Sequence, residues 1–209
     1  DPREILHELR LFKSSDELAR MRRAAAITAE AHRSAARAAR DGTFEYELEA
    51  VLDYTYRRRG GWGPAYGTIV AGGANATVLH YVRNAERLRE GELVLIDSGC
   101  EFEGYASDVT RTYPVGGRYS ASRRAVYQVV LEAQLAALDA CKPGATLPEI
   151  HRVAVRKLVE GMVSLGLLHG TVDELIEQEK HRAYYMHNTS HWLGLDVHDA
   201  GAYTRGDEA

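Results

Sequence analysis

The sequence predicts an α+β fold in which groups of helices alternate with short strands. Helix-capping signals open long helical stretches in the first quarter of the chain, and short β-rich runs separated by turn residues occupy residues 67–115. Helical sequence returns after residue 117 and gives way to a β-like segment near the end. This order, helices then strands and again helices then strands, indicates an internal duplication.

The helix starts follow from residues that can cap the first turn. A Ser or Thr followed three residues later by Glu forms a capping box, and a single Ser or Thr is a weaker form of the same signal. Gly and Pro then mark the ends of the first, second and third helices. The predicted starts are Ser14, Thr43, Ser120, Thr146 and Thr171, and the predicted ends are near Gly42, Gly60 and Pro143.

The predicted strands are runs rich in β-branched and aromatic residues, bounded by turn sequences such as AGGAN and REG. The final run carries a glycine, Gly194, where a bulge or bend would be expected. The predicted strand regions are GTIVAG (67–72), TVLHYV (77–82), ELVLIDSG (92–99), YASDVTRTYPV (105–115) and RAYYMHNTSHWLGLDVHDAG (182–201).

Composition excludes several classes of protein. The 209 residues carry 26 basic and 30 acidic side chains, and the net charge of −4 provides no general attraction to nucleic acid or to an anionic membrane. No apolar run reaches the roughly 18 residues of a membrane span. The only cysteines are Cys100 and Cys141, so we expect no disulfide framework and a cytoplasmic location.

Two aspartates in the segment LVLIDSGCEFEGYASDVTRT (93–112) suggest a cation site. If a hairpin turns at Phe102 and Glu103, Asp97 lies directly opposite Asp108, with Cβ atoms about 4.5 to 5.5 Å apart. Two facing carboxylates must protonate or bind a cation, and together they could share two hard metal ions. The alternative is that one aspartate faces solvent, or that the register differs and the two are not opposed.

Histidines and one tyrosine add candidate ligands. Three histidines, His187, His191 and His198, lie within twelve residues, and such a cluster can supply a metal ligand, a proton carrier and a substrate contact. On a strand, His187 and His191 would share a face and His198 would not, unless Gly194 bends the chain. His80, at the end of a predicted strand, and Tyr66, at a strand entrance, are weaker candidates.

The remaining histidines have no such company. We interpret them as ordinary helix or surface residues: His7, His32, His151, His169 and His181.

Taken together, IDSGCEFEGYASDVTRTYPV and HNTSHWLGLDVHD resemble the pita-bread metallopeptidases, and within them the aminopeptidase P (Xaa-Pro aminopeptidase) group. HELRLFKSSDELARMRRAAAITAEAH, TIVAGGANATVLHY and KPGATLPEIHRVAVRKLVEGMVSLGLL resemble that catalytic domain in the same order, so the resemblance covers nearly the whole chain. It implies the pita-bread fold, with internally duplicated helices packed on a curved antiparallel sheet.

The resemblance also implies roles for the candidates. Asp97 would bind one of two divalent metal ions, expected to be Mn²⁺, Asp108 would bridge both, and His191 would bind the other. His198 would contact substrate and move protons, and His80 would serve the same catalytic region. His187, His80, His198 and Tyr66 would line the substrate pocket.

The implied reaction releases the N-terminal residue from peptides with proline in second position, by attack of a metal-bridging hydroxide. A prolidase-type Xaa-Pro dipeptidase and a non-catalytic pita-bread binding protein are the alternatives. We expect a peptide partner, no nucleic acid or membrane partner, and a homo-oligomer in the full-length protein.

The family pattern also includes two glutamate ligands on strands after the histidine-rich segment. Glu208 lies too near that segment to be either of them. We therefore expect residues 1–209 to be a catalytic domain truncated at its C-terminal end and lacking the family's N-terminal domain, and expect this piece alone to be inactive. Asn188, where glycine is usual, should have a small local effect.

Overall fold

The computed structural model describes residues 1–203. By their internal contacts these residues form two compact units, one built from residues 1–118 with the segment that begins at His191, and the other from residues 119–190. Within residues 1–203, no helix is long and apolar enough to cross a membrane. Glu208, excluded above as a ligand, lies outside the described residues.

The first unit contains three α-helices and six strands among its described residues. The helices are α1 (Pro2–Leu11), α2 (Ser15–Ala38) and α3 (Glu45–Arg58). The strands are β1 (Gly63–Pro64), β2 (Ile69–Gly72), β3 (Leu93–Asp97), β4 (Cys100–Phe102), β5 (Tyr105–Ala106) and β6 (Thr110–Pro114). Short 3₁₀ turns lie at Gly73–Thr77 and Val115–Gly117.

The strands pair in two antiparallel sheets, β2-β3-β6 and β1-β4-β5. The core of the unit lies between these strands and helices α2 and α3. On β3, Val94 and Ile96 are fully buried against the helices, whereas Leu93, Leu95 and Asp97 alternate on the other face. Asp97 therefore ends a central strand, as the sequence indicates, with its carboxylate on the face away from the core.

The second unit is helical in its described residues. It consists of α4 (Ala121–Ala140), α5 (Leu147–Ser164) and α6 (Val172–Glu177), followed by a 3₁₀ turn at Lys180–Ala183. One apolar cluster joins α4 to α5 through Ala137, Ile150 and Ala154. Another joins α5 to α6. Helix α4 packs on α5, and in the first unit α2 packs on α3.

Capping chemistry predicted the helices well. The capping boxes at Ser14, Thr146 and Thr171 are present, and Ser120 accepts a hydrogen bond from the backbone of Arg123. Helix α3 has Phe44 as its N-cap, rather than the predicted Thr43. Helix α1 was not predicted from the sequence.

Two strand predictions are wrong. TVLHYV (77–82) contains no strand, and His80 adopts a left-handed backbone with φ of 55°. Its conformation is fixed by non-local bonds: the buried Glu45 carboxylate accepts hydrogen bonds from the Tyr81 hydroxyl and the Glu86 backbone, each within 3 Å. The β-like run at 182–201 is also irregular and consists of turns and bends.

The hairpin prediction is right in kind and shifted in register. The turn is at Glu103 and Gly104, which both have positive φ as a tight hairpin turn requires. Asp97 therefore faces Thr110, and Glu101 faces Ala106, a shift of two residues from the predicted pairing. Because side chains alternate with a period of two, this shift keeps Asp97 and Asp108 on one face, as diagonal rather than direct neighbours.

Candidate metal centre

Asp97 and Asp108 meet at the hydroxyl of Tyr66. Tyr66 Oη lies 2.5 Å from Asp97 Oδ1 and 3.0 Å from Asp108 Oδ1, so that one proton serves two carboxylates. Tyr66 lies in the segment between β1 and β2, which pair with β4 and β3, the two strands on the first side of the hairpin. The Tyr66 hydroxyl therefore lies between the two aspartates, and its role in lining a substrate pocket stays a prediction.

Ionisation at this junction is unfavourable. Burial raises the pKa of Asp97, and the charge of Asp108 raises it further, against the lowering effect of the bond from Tyr66. Burial and the charge of Asp97 raise the pKa of Tyr66 as well, so its hydroxyl keeps its proton. Two half-buried carboxylates share a single hydroxyl proton, and a cation bound between them would relieve the repulsion of their charges.

The other oxygen of Asp108 faces His191. Asp108 Oδ2 lies 3.1 Å from His191 Nε2, and His191 Nδ1 lies 2.9 Å from the backbone oxygen of Trp192. A carbonyl oxygen can only accept, so Nδ1 must carry a proton, and in the neutral ring Nε2 then presents a lone pair. Two acceptors face each other across 3.1 Å, and only a proton or a metal ion between them makes the contact favourable.

A bend brings His198 to the same place. The imidazole rings of His191 and His198 have centroids 4.1 Å apart. The chain between them turns back through the bond from the Gly194 backbone N–H to Asp196 O, and Gly194 O accepts from Ala106 of β5. The prediction that His198 needs a bend at Gly194 to join His191 thus describes the observed backbone, although the segment is not a strand.

The remaining two histidine candidates are not part of these contacts. His80 is exposed in its irregular loop, and the bonds that join Tyr66, Asp97, Asp108 and His191 do not include it. His187 is an exposed residue of the second unit. Their proposed roles rest on the sequence resemblance.

Buried polar residues of α2 that the sequence analysis passed over support the hairpin. Thr28 Oγ1 accepts a bond from the Cys100 backbone at 2.8 Å and lies 2.7 Å from Ser107 Oγ. His32 Nε2 lies 3.1 Å from Ser98 O. Burial lowers the pKa of His32, so the ring is held as the neutral donor to that carbonyl, a more specific role than the ordinary helix or surface residue we expected.

A sequence signal for these residues existed. Thr28 and His32 lie on the same helical stripe as Ala24, Ala31 and Ala35, all of which are buried. Polar side chains inside an otherwise apolar stripe must find partners in the core, and here those partners are the strands that carry the aspartates.

The donor set fits a divalent cation in chemistry, with its members in pairwise contact. Carboxylate oxygens and an imidazole nitrogen with its other nitrogen bonded to a carbonyl are ordinary metal ligands. Within residues 1–203, however, no three His, Cys, Asp or Glu side chains converge on one point that could hold a metal ion. Asp97, Asp108 and His191 form a linked row, with Asp108 in the middle.

Replacing Asp97 by Asn is expected to stabilise the metal-free protein at neutral pH. Because the folded-state pKa of Asp97 is raised, the folded state binds more protons than the unfolded state between the ordinary and the raised pKa, and stability falls as pH rises through that window. Thermal melts with chelator should show a higher Tm for Asp97→Asn at neutral pH, and a difference that shrinks on acidification. An unchanged or lower Tm at neutral pH would contradict this.

The chain is similar to known metallopeptidases. The pattern of metallopeptidase family M24 matches residues 19–209. The Xaa-Pro aminopeptidase of Escherichia coli strain K12 is 49% identical over 203 residues, which cover 97% of this chain and 46% of the relative. The chain spans about half the length of the curated relatives it matches.

Solved structures agree. Pseudomonas aeruginosa aminopeptidase PepP superposes with a TM-score of 0.95 at 51% identity, over 98% of this chain and 46% of the other. A variant of Escherichia coli aminopeptidase P in complex with substrate gives a TM-score of 0.96 at 49% identity, over 98% and 47%. These matches confirm the predicted pita-bread fold, and the chain belongs to metallopeptidase family M24.

Proposed function

We propose that this chain provides part of the dinuclear metal site of an aminopeptidase that releases the N-terminal residue from peptides with proline in second position. One observation carries the proposal: the two oxygens of Asp108 face different partners, Oδ1 toward Tyr66 and Asp97, and Oδ2 toward His191. This arrangement supports a bridging role for Asp108 between two cations, with Asp97 and His191 as terminal ligands. Similarity to Xaa-Pro aminopeptidases supports the reaction.

The ligand types favour Mn²⁺, since carboxylates dominate and one imidazole completes the set. Two divalent ions bound there would activate water as the nucleophile and polarise the peptide carbonyl. Other groups of this protein would position the metal ligands. Tyr66 holds the carboxylates on one face, and His191 is fixed in its tautomer by the Trp192 carbonyl.

His198 is placed to handle protons. It is exposed and lies beside His191, so a bound peptide could reach its ring while the neighbouring imidazole binds metal. We propose that His198 contacts the substrate and transfers a proton during cleavage, as general acid or base. His80 and His187 are proposed to line the pocket that accepts the peptide.

We further propose that the full-length protein works in the cytoplasm as a homo-oligomer. Cys100 and Cys141 are both free thiols, and free thiols are typical of proteins in a reducing compartment, which supports the cytoplasmic location.

The test is a peptidase assay on the full-length protein. With Mn²⁺, it should release the first residue from an Xaa-Pro-Xaa tripeptide, lose this activity in chelator, and leave a matched Xaa-Ala-Xaa peptide largely uncut. Cleavage of Xaa-Pro dipeptides alone would identify a dipeptidase instead. Absence of any Mn²⁺-dependent release, with retained peptide binding, would identify a non-catalytic binding protein and refute the proposal.

A further inference from the structure

The loop from His191 to Asp199 is closed by its own backbone. Asp199 N donates to the Trp192 oxygen at 2.9 Å, and Gly194 N donates to the Asp196 oxygen at 3.1 Å. The Trp192 oxygen therefore accepts two bonds, one from Asp199 N and one from His191 Nδ1. The position of Asp199 is thereby coupled to the ring orientation of His191.

The side chain of Asp199 is a buried anion held by two cations. Only 1% of the side chain is exposed, and its two oxygens contact Arg10 and Lys13, the latter at 3.1 Å. Arg10 also reaches Asp196 at 2.7 Å. Burial alone would raise the pKa of Asp199, but the bonds from Lys13 and Arg10 outweigh it and the pKa lies below its ordinary value. Asp199 is therefore ionised and already paired.

The loop backbone packs closely against the clamp, which consists of Asp199, Arg10 and Lys13. A Cβ atom at Gly194 would lie 2.2 Å from Asp199 Oδ2 and 3.0 Å from Lys13 Cε, so the loop backbone packs directly on the carboxylate. Arg10 lies in the last turn of α1 and Lys13 follows the helix, so this helix end anchors a loop that lies nearly two hundred residues further along the chain. The ionic contacts fix the loop at one end, and the hairpin fixes it at Gly194.

We propose that Asp199, clamped by Arg10 and Lys13, is a positioning residue of the metal centre, which fixes the Trp192 carbonyl and so aims His191 Nε2 at Asp108. Asp199 itself contacts neither substrate nor metal. The inference rests on the proposed function, because it gives His191 the role of a ligand. Its rival is a purely stabilising ion cluster, which would affect folding and leave the metal centre unchanged.

The two readings differ in how Asp199→Asn affects the full-length protein. Asn keeps the size of the side chain but presents an amide N–H₂ to one of the two cations, so the clamp loosens. Loss of a residue that orients a metal ligand typically weakens metal binding about 10- to 100-fold. We expect a rise of that size in the Mn²⁺ dissociation constant by titration calorimetry, and a changed band shape in the visible spectrum of the Co²⁺-loaded protein.

Glu45→Gln is the matched control. Glu45 is also a fully buried carboxylate, and it accepts hydrogen bonds from Gly72, Asn75, Tyr81 and Glu86. Its substitution should lower Tm while the Mn²⁺ dissociation constant and the Co²⁺ spectrum stay at wild-type values. Lys13→Met removes one cation and keeps Arg10, so it should weaken Mn²⁺ binding less than Asp199→Asn does. It replaces Asp199→Asn as the test if that variant folds poorly.

The inference would be overturned if Asp199→Asn or Lys13→Met lowers Tm but leaves the Mn²⁺ affinity and the Co²⁺ spectrum at wild-type values. Failure of the proposed function looks different, because wild type would then bind no Mn²⁺, or Asp108→Asn would bind it as tightly as wild type. The two failures are therefore separable in one set of titrations.

Discussion

Replacing Asp108 by Asn is expected to weaken metal binding by the full-length protein at least about 100-fold, and with it the proposed peptidase activity, while leaving the protein folded. The amide oxygen of Asn can still accept the bond from Tyr66. The amide N–H₂ can donate to His191 Nε2, which in the wild-type protein faces a second acceptor, Asp108 Oδ2. The metal-free fold therefore keeps all its hydrogen bonds. Since loss of a residue that merely orients a ligand weakens binding about 10- to 100-fold, loss of the bridging ligand should cost at least about 100-fold.

Calorimetric titration with Mn²⁺ and thermal melts in chelator measure the two parts separately. Asp173→Asn is the charge-matched control, because Asp173 is an exposed residue of α6 whose ion pair with Arg156 lies on the surface. That control should bind Mn²⁺ as wild type does. An Asp108→Asn protein with wild-type affinity, or one that is unfolded without metal, would contradict the assignment of Asp108.

Replacing Gly99 by Ala is expected to disrupt both the hairpin and the site. Gly99 lies across from Asp108, since Ser98 N donates to Val109 O and Ser107 N donates to Cys100 O on either side. A Cβ at Gly99 would lie 1.6 Å from the Ser107 carbonyl oxygen and 3.1 Å from Asp108 N. Both are backbone atoms, so the strands must separate, and the expected loss is about 3 kcal/mol.

For a domain of this size, such a loss lowers Tm by roughly 6 to 12 °C. The displaced Asp108 should also lower Mn²⁺ affinity. Gly67→Ala is the control, because a Cβ there meets only Val82 Cγ1 at 3.4 Å, an ordinary contact, so its Tm should stay near that of wild type. A Gly99→Ala protein with wild-type Tm would show that the two hairpin strands are not packed as closely as described.

Local chemistry made the helices predictable. Capping boxes such as Ser14 with Glu17 and Thr146 with Glu149 satisfy the backbone N–H groups of one turn by residues three apart, so the sequence alone contains the whole interaction. The same holds for the alternation on β3, where Val94 and Ile96 are buried and Asp97 points the other way.

Hairpin register depends on which two residues form the turn. Gly104 was the available signal for the turn. The predicted turn, at Phe102 and Glu103, lies one position before the observed turn, and this error shifts the pairing of the strands by two residues. The predicted pairing of the two aspartates on one face survived, because parity is unaffected by a shift of two. Their contact through Tyr66 could be suggested from sequence, but the shared hydroxyl required the fold.

Long-range polar contacts explain what the sequence did not reveal. The histidine-rich segment has the sequence pattern of a strand, yet its backbone bends, and Asp199 at its end pairs with Arg10 and Lys13 near the start of the chain. His80 is likewise carried by a loop whose neighbours Asn75 and Tyr81 bond to Glu45 of α3. Ion pairs and hydrogen bonds between residues so far apart produce no periodic pattern in the sequence, so they could not be predicted from it.

Anomalous X-ray scattering from crystals of the full-length protein grown with Mn²⁺ tests the metal centre most directly. We predict two anomalous peaks at the manganese edge, one within bonding distance of Asp97 and Asp108, and the other within bonding distance of Asp108 and His191 Nε2. A map without a peak between Asp108 and His191, with the two side chains still in direct hydrogen-bond contact, would contradict the proposed centre.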